Sequence, residues 1–112
     1  MKKILIITLL FTNFIFSQDG GITIQGNLEN CTARNIFIKQ FDKTIVGKDK
    51  IKEGKFEIKT SLKRGYYTLS IGNNSASIYL NTNDKLTISA DIKDFTNTLK
   101  FSGKGAESNN FL

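Results

Sequence analysis

The chain has 112 residues, with 16 Lys and Arg, 10 Asp and Glu, one cysteine and no histidine. This length suits one domain, and the missing histidine excludes zinc sites built on Cys and His, Ser-His-Asp triads and Cys-His nucleophile pairs. The lone Cys31 excludes an internal disulfide and a C-x-x-C redox pair, so we expect no catalytic motif, cofactor or metal site in these residues.

The first 18 residues have the layout of a cleavable signal peptide. Lys2 and Lys3 precede an apolar run from Ile4 to Phe16, and polar residues follow it. The run is too short for a membrane span, which needs about 20 apolar residues. No cysteine directly follows it, which disfavours a lipoprotein. We therefore expect a protein exported to the periplasm or cell envelope and cleaved after Ser17 or Gln18.

Downstream of the leader, apolar and polar residues alternate in most segments, which is typical of strands with one buried face. The apolar members of these runs, in chain order, are Ile22, Ile24 and Leu28; Ile36, Phe37, Ile38 and Phe41; Phe56 and Ile58; Tyr67, Leu69 and Ile71; Ile78 and Leu80; Leu86, Ile88, Ala90 and Ile92; and Leu99 and Phe101. The second run is less regular and suggests a strand buried on both faces.

Polar turns separate these runs, and Lys52-Glu53-Gly54 is typical of a hairpin loop. Strands at this spacing predict an all-β fold, an antiparallel β-sandwich of seven or eight strands over residues 19–102. We expect residues 103–112 to be a linker or the start of a following region. The predicted core consists of Ile24, Phe37, Phe56, Leu69, Ile78, Ile88 and Phe101.

Several short patterns suggest chemistry but have simpler explanations. Gly103-Lys104-Gly105 lacks the spacing of a phosphate-binding loop, so a linker is favoured. Asp91 and Asp94 are interpreted as solvated turn residues rather than an acid–base pair or a cation site. Cys31 is interpreted as a small, half-buried residue at a strand end, the alternative being a free thiol that pairs with another chain.

Basic residues cluster in the middle of the chain, at Lys48, Lys50, Lys52, Lys55 and Lys59. Without Lys2 and Lys3 the remaining chain has 14 basic and 10 acidic residues, a modest net charge of +4. The lysines alternate with apolar residues, which favours the solvated face of a sheet over a nucleic-acid site.

Two tyrosines, Tyr66 and Tyr79, occupy polar-side positions of their strands and are the candidate contact surface. Such amphipathic rings stack on a sugar or pack on a partner protein, although aromatic residues on strands more often serve packing.

The order and spacing of these features resemble the N-terminal domain of unknown function that precedes the thioredoxin-like (TlpA-type) thiol:disulfide oxidoreductase domain in Bacteroidota envelope proteins. The segments that carry the resemblance are Ile24-Gln25-Gly26-Asn27-Leu28, Glu53-Gly54-Lys55-Phe56-Glu57-Ile58, Gly65-Tyr66-Tyr67-Thr68-Leu69, Ile78-Tyr79-Leu80, Lys85-Leu86-Thr87-Ile88 and the stretch from Phe101 to Asn109. The resemblance implies a periplasmic accessory β-sandwich joined in cis to a redox domain whose C-x-x-C lies downstream of this chain.

The first functional hypothesis is therefore a non-catalytic accessory domain of an exported thiol:disulfide oxidoreductase, acting in partner recognition or positioning. The alternative is a free-standing β-sandwich module that binds an envelope protein or a glycan. An independent enzyme is the least favoured, because the chain has no histidine and one cysteine. We expect no nucleic-acid partner, and no membrane span once the leader is removed.

Overall fold

The computed structural model describes residues 21–110, which form eight strands and short helical segments. The predicted signal peptide, residues 1–18, lies outside the described residues. The strands are β1 (Gly21–Glu29), β2 (Asn35–Lys39), β3 (Ile45–Lys50), β4 (Lys55–Ser61), β5 (Gly65–Ile71), β6 (Asn74–Leu80), β7 (Lys85–Asp91) and β8 (Lys100–Lys104). A 3₁₀ turn (Ile92–Asp94), helix α1 (Phe95–Thr98) and helix α2 (Ala106–Asn110) complete the described part.

The strands form two sheets of four, which confirms the predicted all-β sandwich. Sheet A has the order β4-β1-β7-β8, and sheet B has the order β3-β2-β5-β6. Every pairing is antiparallel except that of β1 with β7, which run parallel with Thr23 beside Lys85 and Glu29 beside Asp91. Residue alternation cannot reveal strand direction, so this parallel pair was not predicted.

The core lies between the inner faces of the two sheets, as the alternation of apolar residues requires. Five of its members were predicted, namely Ile24, Phe56, Leu69, Ile78 and Ile88, and all five are buried. Gly26 faces inward in the middle of β1, where a Cβ would lie 2.8 Å from the Phe56 ring and 2.3 Å from the Ile88 carbonyl oxygen. Glycine at this position therefore makes room for the Phe56 ring beside β1.

Of the other two predicted core residues, Phe37 lies outside the core and Phe101 is only partly buried against it. Phe37 is on the outer face of sheet B, because its neighbours Ile36 and Ile38 occupy the inward positions of β2 and are fully buried. The prediction that this strand is buried on both faces is therefore wrong. Phe101 packs against the core from β8 but is only partly buried, because β8 is the edge strand of sheet A.

The Lys52-Glu53-Gly54 segment forms a tight turn with positive φ at Glu53 (52°) and Gly54 (78°) and a bridge between Lys52 and Lys55. It connects two strands that belong to different sheets, since β3 is in sheet B and β4 is in sheet A. Lys52 and Lys55 exchange both backbone hydrogen bonds across this two-residue loop, at 3.0 and 2.9 Å, so the predicted hairpin loop is present, and it also forms a corner of the sandwich. Strand β3 itself had no apolar run to predict it.

The C-terminal part of the described chain is packed onto the sandwich. Strand β8 continues to Lys104, so the predicted boundary between residues 102 and 103 falls inside this strand. Helix α2 contacts β8 and β6, and its Ala106 and Asn109 are buried. Within residues 21–110 no helix has the length and apolar character that a membrane crossing demands.

The two lateral sides of the sandwich differ. On one side, which we call the closed side, β3 and β4 touch, and the Glu57 amide donates to the Asp49 carboxylate at 2.7 Å. The Thr60 hydroxyl also donates to the Val46 carbonyl there, at 3.0 Å. On the other side, the open side, a cleft lined by both β6 and β8 separates the edge strands.

Candidate functional site

The two candidate tyrosines form a pair on the outer face of sheet B. Tyr66 of β5 lies directly opposite Tyr79 of β6, and their ring centroids are 4.9 Å apart with an interplanar angle of 67°. Tyr66 is 51% exposed and Tyr79 is half-buried. The intervening positions of β5 explain this orientation, since Tyr67, Leu69 and Ile71 take the inward side. The sequence interpretation thus brought together two residues that are neighbours in space.

A third aromatic residue joins this pair, and the sequence pattern had misplaced it. Phe41 was grouped with the apolar run of β2, but it lies in the turn after that strand and is 81% exposed. Phe41, Arg64 and Tyr66 line one surface depression of about 410 Å³. We call Phe41, Tyr66 and Tyr79 the aromatic patch. Exposure of an aromatic ring in a turn has no signal in strand alternation, which is why Phe41 was missed.

The turn that carries Phe41 is held by local hydrogen bonds. The Gln40 amide donates to the Thr44 carbonyl at 2.9 Å, and the Lys43 amide donates to the Gln40 carbonyl at 2.9 Å. The Thr44 amide donates to the Asp42 carboxylate at 2.9 Å, and this bond lowers the pKa of the Asp42 carboxyl below its ordinary value. An ionised Asp42 therefore stabilises the turn that presents Phe41.

Apolar and cationic side chains extend this surface along sheet B. The Lys39 ammonium lies 5.5 Å from the centroid of the Phe37 ring, a cation–π distance. Ile45, which pairs with Lys39 across β2 and β3, is 48% exposed. The outer face of sheet B therefore offers rings, one aliphatic side chain and positive charge, which is contact chemistry rather than acid–base chemistry.

The outer face of sheet A has a different character. Strand register places Lys59, Thr23, Lys85 and Lys104 in one row across its four strands. The next row on the same face contains Glu57, Gln25, Thr87 and Ser102, which has no aromatic side chain. The lysine cluster noticed in the sequence is divided between the sheets, with Lys48 and Lys50 on β3 and Lys55 and Lys59 on β4, and all four are exposed.

The other residues singled out in the sequence, Cys31, Asp91 and Asp94, make local hydrogen bonds that stabilise turns and strand ends. Cys31 follows β1, is half-buried and donates its thiol to the Ala33 carbonyl at a sulfur–oxygen distance of 3.7 Å. Asp91 caps the 3₁₀ turn by accepting from the Lys93 amide at 3.0 Å, and it also accepts from the Asn30 side-chain amide at 2.8 Å. Asp94 accepts from the Asn97 side chain. Over residues 21–110, no three His, Cys, Asp or Glu side chains converge on a point where a metal ion would bind.

The sequence signals missed one more structural feature of this region, the buried Asn109. Its side chain binds the backbone of Tyr79, a member of the aromatic patch, on the edge of β6. A single polar residue in a short helix has no sequence pattern that reports such a contact.

No family model, curated protein or solved structure matches this chain.

Proposed function

We propose that residues 21–110 form a non-catalytic recognition domain that binds a protein through the aromatic patch. The observation that carries the proposal is the exposure of Phe41, in the turn after β2, next to Tyr66, which pairs with Tyr79 on the outer face of sheet B. The outer face of sheet A, by contrast, carries polar side chains. Exposed aromatic residues are enriched at the centres of protein interfaces, where they supply most of the binding energy.

A protein partner is favoured over a glycan by the geometry of the tyrosine pair. The two rings are inclined at 67°, so they do not make one flat platform for stacked sugar rings. The exposed Ile45 adds aliphatic surface. Such a mixed apolar and aromatic surface suits the side chains of a protein, so glycan binding is the alternative that the test includes.

The context proposed for this domain is an exported thiol:disulfide oxidoreductase, for which it positions or recognises partners. The ordered sequence resemblance supports this context, and a β-sandwich that presents a contact face is compatible with it. The reading frame that follows codon 112 tests the context directly. An immediate stop codon with no thioredoxin-like region behind it would count heavily against it.

Binding is tested with the isotope-labelled chain and a thioredoxin-like domain encoded in the same genome. We expect amide chemical-shift changes that centre on residues 40–45, Tyr66 and Tyr79. Tyr66→Ala should weaken binding about tenfold or more, because a central tyrosine at an interface contributes on the order of 2 kcal/mol. Thr87→Ala, on the outer face of sheet A, is the matched control and should leave the affinity unchanged.

Two results would overturn the proposal. One is a footprint on the outer face of sheet A with no effect of Tyr66→Ala. The other is saturable binding of soluble peptidoglycan or polysaccharide fragments at the tyrosines without any binding of the thioredoxin-like domain, which would establish the glycan alternative.

A further inference from the structure

The open side of the sandwich leaves the edge of β6 accessible to a partner. The Tyr79 amide donates to Oδ1 of Asn109 at 2.6 Å, and the Tyr79 carbonyl accepts from Nδ2 of Asn109 at 2.9 Å. Both backbone groups of Tyr79 therefore point away from β5. In an antiparallel ladder this makes Tyr66 and Tyr79 a non-hydrogen-bonded pair, and the outward direction recurs at every second residue.

Ser77 and Ser75 are the next residues of β6 with outward backbone groups. The hairpin loop between β5 and β6 supports this assignment. The pair Ile71 and Asn74 closes a two-residue loop, Gly72 and Asn73, and the closing pair of such a loop is hydrogen-bonded. Hydrogen-bonded and non-hydrogen-bonded pairs alternate, so the backbone groups of Asn74 point toward β5 and those of Ser75 point outward. Of these three outward-facing residues of β6, Asn109 bonds only to Tyr79. Throughout residues 21–110, no side chain bonds to the backbone of Ser75 or Ser77.

Asn109 shows how this edge binds an amide. Its side chain carries the donor and the acceptor of a peptide group. It bonds to both the N–H and the C=O of Tyr79, as a residue of an added strand would. Asn109 is 3% exposed, and its Nδ2 also donates to the Gly105 carbonyl at 3.1 Å. The side-chain amide of Asn109 thus occupies the first position of a fifth strand, and no other group among residues 21–110 occupies the two following positions.

A cleft of about 410 Å³ runs beside those two positions. In an added strand the residue opposite Ala76 would point between the sheets, where Phe95, Leu99 and Phe101 line the cleft. Asn110 and Thr96 also line it. These helical residues stand beside the edge, so a single extended segment fits there better than the edge of a second sandwich.

We propose that the edge of β6 at Ser75 and Ser77 binds an extended segment of the partner protein as an added strand. The segment places one apolar side chain in the cleft opposite Ala76, and it is flanked by acidic residues. Residues 21–110 carry 14 basic and 9 acidic side chains, a net charge of +5, which attracts an acidic segment. This inference rests on the proposed function, since the added strand would run beside Tyr79, and it specifies the part of the partner that binds.

The test uses the full chain and a fluorescein-labelled seven-residue peptide with a central leucine, flanking threonines and terminal glutamates. We expect saturable binding in fluorescence anisotropy. Ser77→Pro removes one outward N–H without removing a bond to β5, so it should weaken binding at least tenfold. N-methylation of the peptide at the amide that faces β6 should have the same effect on the unmodified chain.

A second variant keeps the test valid if Ser77→Pro unfolds the domain. Ala76→Leu fills the cleft from the side of β6, and it should weaken binding of the leucine-centred peptide at least tenfold while the amide spectrum stays that of a folded sandwich. The inference is overturned if the folded variants and the N-methylated peptide bind as tightly as their parents. It is also overturned if the chain dimerises in sedimentation and Ser77→Pro makes it monomeric, which would assign the edge to a second copy.

The outcome is separable from that of the aromatic patch. Tyr66 lies on β5, one strand away from the edge, so Tyr66→Ala should change the affinity for the short peptide less than twofold. If Ser77→Pro loses peptide binding and Tyr66→Ala binds the peptide as the parent does, the proposal of strand addition at the β6 edge is supported even if the thioredoxin-like domain does not bind. A footprint at the aromatic patch without any peptide binding retains the proposed function and overturns the edge.

Discussion

The closed and open sides of this sandwich satisfy their edge strands in different ways. On the closed side the edges of β3 and β4 bind each other, through Asp49 with Glu57 and Val46 with Thr60. On the open side, within the described residues 21–110, a side chain from α2 bonds to the edge of β6 at Tyr79 alone. An edge strand with free backbone groups invites pairing, and the closed side has removed that opportunity. The closed side therefore contributes hydrogen bonds that stabilise the sandwich, and the open side presents a strand edge that a partner can reach.

The largest effect is expected at the corner of the closed side. Gly54 has a φ of 78°, and a Cβ there would lie 2.2 Å from the Leu28 carbonyl oxygen. Gly54→Ala adds about 1–2 kcal/mol of backbone strain and a clash that displaces β1, so we expect a loss of about 2–4 kcal/mol in the free energy of unfolding. Urea denaturation measures it.

The matched control is Glu53→Gly in the same turn. Glu53 already has a φ of 52°, so glycine relieves strain there and should leave the stability within about 1 kcal/mol of the parent. If Gly54→Ala is as stable as Glu53→Gly, the corner does not hold the closed side together in the way that the geometry indicates.

The open side should respond less strongly to loss of its own cover. Asn109→Ala removes two hydrogen bonds to Tyr79 and one to the Gly105 carbonyl, and we expect a loss of about 1–3 kcal/mol because these groups are buried. Amide exchange at Tyr79 should accelerate, while exchange at Ile24 in β1 changes only by the global loss of stability.

Asn109→Asp provides the control for that interpretation. Aspartate keeps the acceptor for the Tyr79 amide but loses both donors, so its Tyr79 exchange should lie between those of the parent and of Asn109→Ala. Equal exchange rates in all three proteins would show that Asn109 does not cover the edge in solution.

The hydrogen bonds of the closed side can be weakened one at a time. Asp49→Ala leaves the Glu57 amide to bind water, and this exposed bond should cost about 0.5–1.5 kcal/mol. Asp49→Asn keeps a side-chain oxygen as acceptor and should cost less than half as much in the same denaturation experiment. A larger loss for Asn than for Ala would mean that the contact between β3 and β4 does not depend on this acceptor.

Residue alternation predicted most of the inward positions, but it misplaced Phe37 on β2 and gave no sign of the edge strand β3. Burial of Ile24, Leu69 and Ile88 follows from a period of two, because a strand places alternate side chains on one face. The outward turn of Phe37 does not follow, since Ile36, Phe37 and Ile38 are all apolar and only the tertiary register decides which of them face the core. Local composition also left β3 unassigned, because its Lys48, Asp49 and Lys50 read as a solvated segment.

The candidate site was predicted in part for the same reason. Tyr66 and Tyr79 were found because each alternates with inward apolar residues on its own strand. Their contact depends on the register between β5 and β6, and the cover of Tyr79 by Asn109 joins positions 30 residues apart. Neither long-range contact has a local sequence signal. The sequence pattern therefore could not predict the open side, because that side depends on β6 and β8 being edge strands.

The smallest effect is expected where the ends of β1 and β7, the parallel strands of sheet A, are tied together by Asn30 and Asp91. The hydrogen bond from the Asn30 side chain lowers the pKa of the Asp91 carboxyl below its ordinary value of 3.8, and the Lys93 amide lowers it further. A carboxyl whose pKa is depressed by folding contributes stability above the pKa of the unfolded chain, and this contribution is lost as the pH falls through the lower, folded value.

Asn30→Ala should therefore raise the pKa of Asp91 toward 3.8 and flatten the loss of stability below about pH 4. Carbon-detected NMR titration measures this, and the carboxyl of Asp42 is an internal control, because its pKa is lowered by Thr44 and should not move. An unchanged Asp91 titration in Asn30→Ala would show that the bond between these strand ends is not maintained in solution.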